Sequence, residues 1–318
     1  VPILERLNPA VDVVLSGHTH QAYVCDYSRV NPAKPFLLTS AGQYGTLLTD
    51  IQLRVDTQTR RVVRKTARNV VVQGEAFTGA QGPVPLTTAV PAFPADPGVQ
   101  KIIDTYRAAA IPLAQRPVGQ AQGAMRRQPN AALESVLGNL VADAQLLATR
   151  APEDGGAQLS FMNPGGLRAD LVPDEQGLVR YGQLYAVQPF GNQLVVKTFT
   201  GAQIRAVLEQ QFASGGNTVQ RPRVLSVSSG FSYRYDLTQP AGARISQMVL
   251  NGAPLADAQP VRVVMSSFLD SGGDNFTVLT QGRDRQVGAL DLDALEAYFR
   301  QQSPVALPAT DRITRVGR

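Results

Sequence analysis

The stretch Asp12-Val13-Val14-Leu15-Ser16-Gly17-His18-Thr19-His20 carries both histidines of the chain, two residues apart, at the end of an apolar run. Asp12 to Leu15 reads as a short buried strand, and Ser16-Gly17 as the turn that ends it. In extended backbone, residues i and i+2 project to the same side, so both imidazoles are expected to face one site. Imidazole suits zinc, manganese or iron at neutral pH, which makes His18 and His20 candidate metal ligands. The plain alternative is a pair of surface histidines that fall close together. Two ligands do not complete a site, because catalytic zinc usually takes three protein ligands and a dinuclear centre takes more.

The 318 residues are enough for two domains with separate cores. A hydrophobic content of 43% and a charged content of 17% describe an ordinary soluble globular protein. No apolar run approaches the length of a membrane span. The chain starts at Val1, inside what reads as a helix-to-strand connection, as expected of a piece of a longer protein. The single Cys25 excludes an internal disulfide framework and a cysteine-cage zinc site, and reads as a small apolar filler near a strand end. The net charge is +5, but a nucleic-acid binder would gather that charge in runs with interleaved aromatics. The densest cluster (Arg60, Arg61, Arg64, Lys65 and Arg68) alternates with Val and Thr and reads as the solvent face of a strand. A nucleic-acid polymer is therefore not an expected partner, whereas small anionic substrates remain compatible with the charge.

Residues 1–72 alternate strand and turn, ending in a hairpin of Leu47 to Val55 and Arg61 to Val72 around Asp56-Thr57-Gln58. Residues 73–98 are rich in Gly, Ala and Pro and read as a loop. Val99 to Ala114 has helical spacing through Ile102, Ile103, Tyr106 and Ile111, up to Pro112 and Pro117, and reads as a bridging helix within a 73–116 linker. A second domain is expected over 117–318. Its clearest helix is read over Asn130 to Thr149, with Leu133, Val136, Leu137, Leu140, Val141, Ala144 and Leu147 on one apolar face. Strands follow at Ala157 to Met162, Leu194 to Phe199, Arg244 to Leu250 and Val261 to Ser266. Thr200 is positioned to cap a helix, Asn251-Gly252 marks a hairpin turn, and Leu290 to Gln301 reads as a final amphipathic helix. This order predicts a mixed α+β fold with several antiparallel connections.

Three segments of the second domain each join a strand end, a glycine, and an aromatic or charged residue. They are Gly165-Gly166-Leu167-Arg168, Gln188-Pro189-Phe190-Gly191-Asn192, and Ser267-Phe268-Leu269-Asp270-Ser271-Gly272-Gly273-Asp274. Glycine admits close backbone approach to a ligand. Phe190 and Phe268, on loops, can sandwich a flat base, a contact worth about 0.5–1.5 kcal/mol beyond area burial. Asp274 can accept two hydroxyl hydrogen bonds from a ribose, and Arg168 can reach a phosphate or hydroxyl. Taken alone, Pro-Phe-Gly is an ordinary turn and Gly-Gly-Asp an ordinary loop; their coincidence points to a nucleotide.

The series Gly17-His18-Thr19-His20, Leu137-Gly138-Asn139-Leu140-Val141-Ala142-Asp143-Ala144, Asn163-Pro164-Gly165-Gly166-Leu167-Arg168, Gln188-Pro189-Phe190-Gly191-Asn192 and Ser271-Gly272-Gly273-Asp274-Asn275-Phe276 resembles the 5′-nucleotidase family in content and order. These are two-domain metallophosphoesterases that include UDP-sugar hydrolases and 2′,3′-cyclic-nucleotide phosphodiesterases. The resemblance implies an N-terminal α/β/β/α dinuclear metal domain, here represented by its closing strands over 1–72, a linker helix, and a C-terminal substrate domain. It implies that His18 and His20 each ligate one of two divalent metals (Zn, Mn, Co or Mg). It further implies that Phe190 and Phe268 stack the nucleobase, that Asn192 meets the base edge and that Asp274 binds ribose. Arg168 matches the arginine of the family's Gly-Gly-x-Arg motif, and Arg127 falls where some members place a substrate arginine. A second arginine often follows one helical turn later, where this chain has Ala131.

The family draws its other metal ligands from Asp-x-His, Gly-Asp, Asn-His-Glu and further His segments upstream of the tetrad, which are expected to lie before Val1. The piece itself is therefore expected to be inactive, although its parent resembles a periplasmic or extracellular phosphoric ester hydrolase. Two alternatives stay open: a module that holds nucleosides or nucleotides without turnover, and a relative of the thiosulfohydrolase branch. The paired phenylalanines disfavour the latter, because a small sulfur anion needs no base sandwich.

Overall fold

The computed structural model describes residues 2–79 and 82–317. The chain divides into two compact units, residues 1–106 and 107–318.

The first unit opens with a short helix α1 (Pro2–Arg6), followed by strands β1 (Val13–Leu15), β2 (Ala22–Asp26) and β3 (Leu37–Ala41). These form one sheet in the order β1-β3-β2, with β1 parallel and β2 antiparallel to β3. Its small core is the stacked pair Tyr27 and Phe36, 4.8 Å between ring centres, packed with Leu4. The expected burial of the first strand is only partial: Val13 and Val14 are half-buried, while Leu15 is 73% exposed. β4 (Leu47–Asp56) and β5 (Arg61–Val71) make the expected antiparallel hairpin. Asp56 builds its turn, its carboxylate accepting the N–H groups of Gln58 at 2.8 Å and Thr59 at 3.0 Å. Along β5, Arg61, Arg64 and Arg68 are exposed, and Lys65 is neutralised by Asp12 at 2.8 Å.

The stretch expected to be a plain loop contains a further short hairpin, β6 (Phe77–Gly79) with β7 (Gly82–Val84). Its organising group is the Gln73 side chain, which accepts from the Thr87 N–H and donates to the Thr87 carbonyl. Helix α2 (Pro97–Ala114) starts earlier than its apolar spacing indicates. Asp96 caps it by accepting from the N–H groups of Gly98 and Val99. It runs through Pro112 to its expected end at Ala114, and none of its residues is buried. Among the described residues no helix is long and apolar enough to cross a membrane.

The second unit runs β8 (Pro117–Gln120), α3 (Val136–Thr149), β9 (Leu159–Met162), β10 (Leu178–Arg180), α4 (Tyr181–Val187), β11 (Gln193–Thr200) and α5 (Gly201–Glu209). It continues with the short strands β12 (Ala213–Ser214), β13 (Asn217–Thr218) and β14 (Ser226–Val227), then β15 (Phe231–Asp236), β16 (Ile245–Leu250) and β17 (Ala253–Pro254). It closes with β18 (Pro260–Ser266), α6 (Ser267–Asp270), β19 (Arg283–Leu290), α7 (Asp291–Gln302) and β20 (Ile313–Val316). The central sheet has the order β14-β9-β18-β11-β19, and a second sheet the order β17-β16-β15-β20. Alternation along β18 explains the layering. Val261, Val263 and Met265 pack with α5 and the second sheet, while Val264 faces Leu146 of α3 and Ala294 of α7. The unit is α+β, as the order of elements predicts.

Local chemistry accounts for the ends of these elements. Thr200 and Gln203 form a complete capping box on α5. Asn251 and Gly252, both at positive φ (51° and 80°), make the two-residue hairpin turn joining β16 to β17. The helix read over Asn130 to Thr149 begins only at Val136, because Asn130 accepts from the N–H groups of Ala132 and Glu134 and Ser135 caps the true first turn. Leu133, inside the apolar period, stands at φ 63° outside the helix. α3 is buried on nearly every side, not along one face: Asn139 and Gln145 are buried with its leucines.

The last strand is tied back to this helix. The buried Glu134 carboxylate accepts from the N–H groups of Arg312 and Ile313, and from the Asn139 side chain at 2.6 Å. The Arg312 guanidinium grips Asp143 with two bonds of 2.8 and 2.7 Å.

Candidate nucleotide-binding site

Five of the six candidate nucleotide residues are linked within the second unit by contacts to one another or to chain neighbours, and the sixth follows two residues after one of them. The Asn163-Pro164-Gly165-Gly166 segment leaves β9 as a single tight turn. Arg168 follows it, with its backbone N–H on the Val187 carbonyl at 2.9 Å and its guanidinium 3.4 Å from the Gly165 carbonyl. The same guanidinium lies 5.7 Å from the centre of the Phe190 ring. Phe190 sits on the turn after α4 and is 57% exposed.

Phe268 lies on the one-turn helix α6, not on a loop as expected, and is 41% exposed. Ser266 caps that turn through Leu269 N–H, and Asp270 anchors it through ion pairs with Lys197 and with Arg285, the latter at 2.9 Å. The following loop passes directly beneath the ring. A Cβ added to Gly273 would stand 2.6 Å from the ring atoms of Phe268 and from its carbonyl oxygen, so only glycine fits there.

One residue further on, Asp274 adopts a left-handed backbone, φ 54° and ψ 24°. One carboxylate oxygen accepts from Arg223 at 2.6 Å and the other from Asn163 at 2.8 Å. The Gly165 position lies next to this carboxylate, which joins the Asp274 loop to the segment carrying Arg168. Arg127 closes the other side: its guanidinium reaches the Leu167 carbonyl at 3.4 Å and Asp170 at 3.3 Å. Arg126 approaches the same Asp170 carboxylate at 3.6 Å. Asn192 is held against the first residue of α7. Its side-chain N–H donates to Asp291 at 3.1 Å, and its carbonyl accepts the Asp291 N–H at 2.8 Å. Burial pushes the Asp291 carboxyl above the ordinary carboxylate range, against the opposing pull of the Asn192 bond.

Sequence reading does not single out Arg223, Asp170 or Asp291, and it leaves Asn163 without a role. Arg223 lies in Gln220-Arg221-Pro222-Arg223, which has no local signature, and its partner is 51 residues away.

The two histidines behave differently from expectation. His18 and His20 have φ of 68° and 59°, so the segment is not extended and the same-side argument for i and i+2 does not apply. The Thr19 N–H closes a tight turn onto the Gly17 carbonyl at 2.8 Å. Ser16 holds the strand end through the Thr39 carbonyl and the Tyr23 hydroxyl. Among the described residues no three His, Cys, Asp or Glu side chains converge to hold a metal ion. The donors among the described residues therefore do not fit a pair of divalent metals, and no chemical step follows from them.

The model of the 5′-nucleotidase C-terminal domain matches residues 117–281. The chain is 28% identical over 302 residues to the trifunctional nucleotide phosphoesterase protein YfkN of Bacillus subtilis (strain 168), covering 92% of this chain and 19% of that protein. It is 30% identical over 290 residues to the cell wall protein Lmo0130 of Listeria monocytogenes, covering 90% of this chain and 34% of that one. The solved structure of a 5′-nucleotidase precursor from Thermus thermophilus superposes with a TM-score of 0.64 at 26% identity, covering 96% of this chain and 60% of that chain. The chain thus spans less than two thirds of each. A domain match over more than half its length, on the unit that carries the linked Arg168, Phe190 and Asp274, makes the chain a member of the 5′-nucleotidase family.

Proposed function

We propose that the second unit is the nucleotide-holding half of a metal-dependent phosphoester hydrolase. The base stacks between Phe190 and Phe268, the ribose hydroxyls bind Asp274, and Arg168 and Arg127 meet the phosphate side. Asn192 meets the base edge. The observation that carries this reading is the linkage of Arg127 to the Leu167-Arg168 segment and of Arg168 to Phe190, and of Gly165 to Asp274, whose neighbour Gly273 lies against Phe268. Two exposed aromatic side chains, one beside Arg168 and the other beside the loop of Asp274, match a ligand with a flat apolar ring and a polar, anionic tail.

The protein containing this chain would hydrolyse a nucleotide at phosphorus, with His18 and His20 as two of the ligands of a divalent metal pair. The residues of this chain bind and orient the nucleotide; among the described residues of the second unit, none forms a nucleophile–base pair with Arg168 or Asp274. A periplasmic or extracellular location fits the cell wall relative.

Calorimetry of the 318-residue chain with AMP and adenosine tests the reading. Both are expected to bind, and Phe190→Ala and Phe268→Ala are each expected to weaken binding by about tenfold, from base-stacking energies of about 1–3 kcal/mol. Unchanged affinity in both variants would remove the base sandwich.

A further inference from the structure

We infer that Arg223 is the positioning residue for ribose recognition: it fixes the Asp274 carboxylate, and thereby sets how strongly the site prefers a ribose diol. The inference rests on the nucleotide reading above. Its basis is an asymmetry around Asp274. That residue is non-glycine in left-handed backbone, within a turn where Gly272 and Asn275 also have positive φ (85° and 66°). L residues reach this conformation at a cost, and the turn persists because its neighbours hold it.

Those neighbours come from one segment, the β12–β13 hairpin and the residues after it. Asn217, 1% exposed, donates to the Asp274 carbonyl at 2.8 Å, and Ser214 donates to the Asn275 carbonyl at 2.7 Å. Both bonds hold the backbone only. Arg223 is the member of this segment that reaches the side chain, at 2.6 Å to one carboxylate oxygen. Asn163, from the Gly-Gly segment, takes the other oxygen at 2.8 Å. The carboxylate is thereby gripped from two sides, and each oxygen retains a lone pair for a hydroxyl donor.

Charge makes Arg223 the stronger hand. The Asp274 side chain is 13% exposed, so its negative charge is largely removed from water, and a neutral amide alone compensates it poorly. Arg223 is itself 45% exposed, so it holds the carboxylate without being part of the core. Replacing it leaves the fold's apolar clusters untouched but frees the carboxylate to rotate or draw in water. Binding of a ribose diol then carries the cost of ordering an acceptor that was previously fixed. A dideoxyribose offers no hydroxyl to that acceptor and is indifferent to the change.

The test compares adenosine with 2′,3′-dideoxyadenosine by calorimetry on the full chain, with melting temperature recorded for each variant. Arg223→Gln is expected to weaken adenosine about tenfold and to leave dideoxyadenosine within about twofold. Arg223→Lys, which keeps the charge, is expected to restore part of the preference. Asp274→Asn serves as the reference, abolishing the preference through the acceptor itself. An unaltered preference in Arg223→Gln overturns the inference, as does an equal loss for both nucleosides, which is the mark of a merely structural residue. If the wild-type chain binds neither nucleoside, the nucleotide reading falls and this inference with it. If Phe190→Ala abolishes binding while Arg223→Gln keeps the preference, only this inference falls.

Discussion

The guanidinium of Arg168 lies 5.7 Å from the centre of the Phe190 ring, so a cation stands over an aromatic side chain whose surface is otherwise mostly free. A base can then stack on Phe190 while the arginine both orients that ring and meets the anionic end of the same ligand. Arg168→Ala is expected to weaken AMP by about tenfold or more, and adenosine by clearly less, since only AMP has the phosphate. Arg168→Lys restores the charge but not the planar fork, so it should recover AMP binding only in part. Equal losses for AMP and adenosine, measured by calorimetry, would assign Arg168 to the ring alone.

Gly273 gives a steric counterpart. A methyl group there meets the Phe268 ring and its carbonyl oxygen at 2.6 Å, and the backbone atom cannot step aside as a side chain can. Gly273→Ala is expected to reduce base affinity as much as Phe268→Ala does, and to cost about 1–3 kcal/mol of stability from overpacking. Denaturant unfolding beside nucleoside titration checks both parts.

Two carboxylates give the second unit opposite responses to pH. Burial raises the Asp291 pKa above its ordinary 3.8, so its contribution to stability is present in acid and is lost as pH rises through the folded value. The two-pronged grip of Arg116 lowers the Glu296 pKa below its ordinary 4.5, so that contribution is present above 4.5 and is lost as pH falls through the folded value. Relative to wild type, Asp291→Asn should gain stability as pH rises from acid to neutral, whereas Glu296→Gln should lose it. Urea midpoints at a series of pH values test the two signs separately.

The histidine turn yields a prediction about metals. With both histidines in left-handed backbone and no third ligand beside them among the described residues, zinc or manganese should bind the 318-residue chain weakly. Manganese should not elicit phosphate release from AMP. Tight binding of a metal pair, or measurable phosphate release, would contradict this reading of Gly17 to His20.

The parts of the fold legible in the sequence are those decided by neighbours in the chain. Thr200 with Gln203, and Asn251 with Gly252, announce a helix start and a hairpin because the groups that form each device are within three residues. The start of α3 is hidden because Leu133 continues the apolar period, whereas Asn130 and Ser135 compete for the same backbone groups and win. The histidines mislead for a related reason: positive φ is uncommon for any non-glycine residue, even though histidine is among the types enriched there, so extended backbone is the default expectation after a strand. In the candidate site, glycines and aromatic residues mark segments that the structure links to one another. The residues that hold the candidate groups stay invisible: Arg223 and Asp170 act on Asp274 and Arg127 from 51 and 43 residues away.

The bond from Arg312 to Asp143 crosses 169 residues, and the Glu134 carboxylate waits for backbone groups 178 and 179 residues downstream. On a ribosome, both acids are made long before the strand that answers them. Until that strand arrives, the emerging domain carries uncompensated charge beside its most apolar helix, which favours an open, hydrated state. Folding of the second unit is therefore expected to complete only once the segment carrying Arg312 and Ile313 is available to answer Glu134 and Asp143.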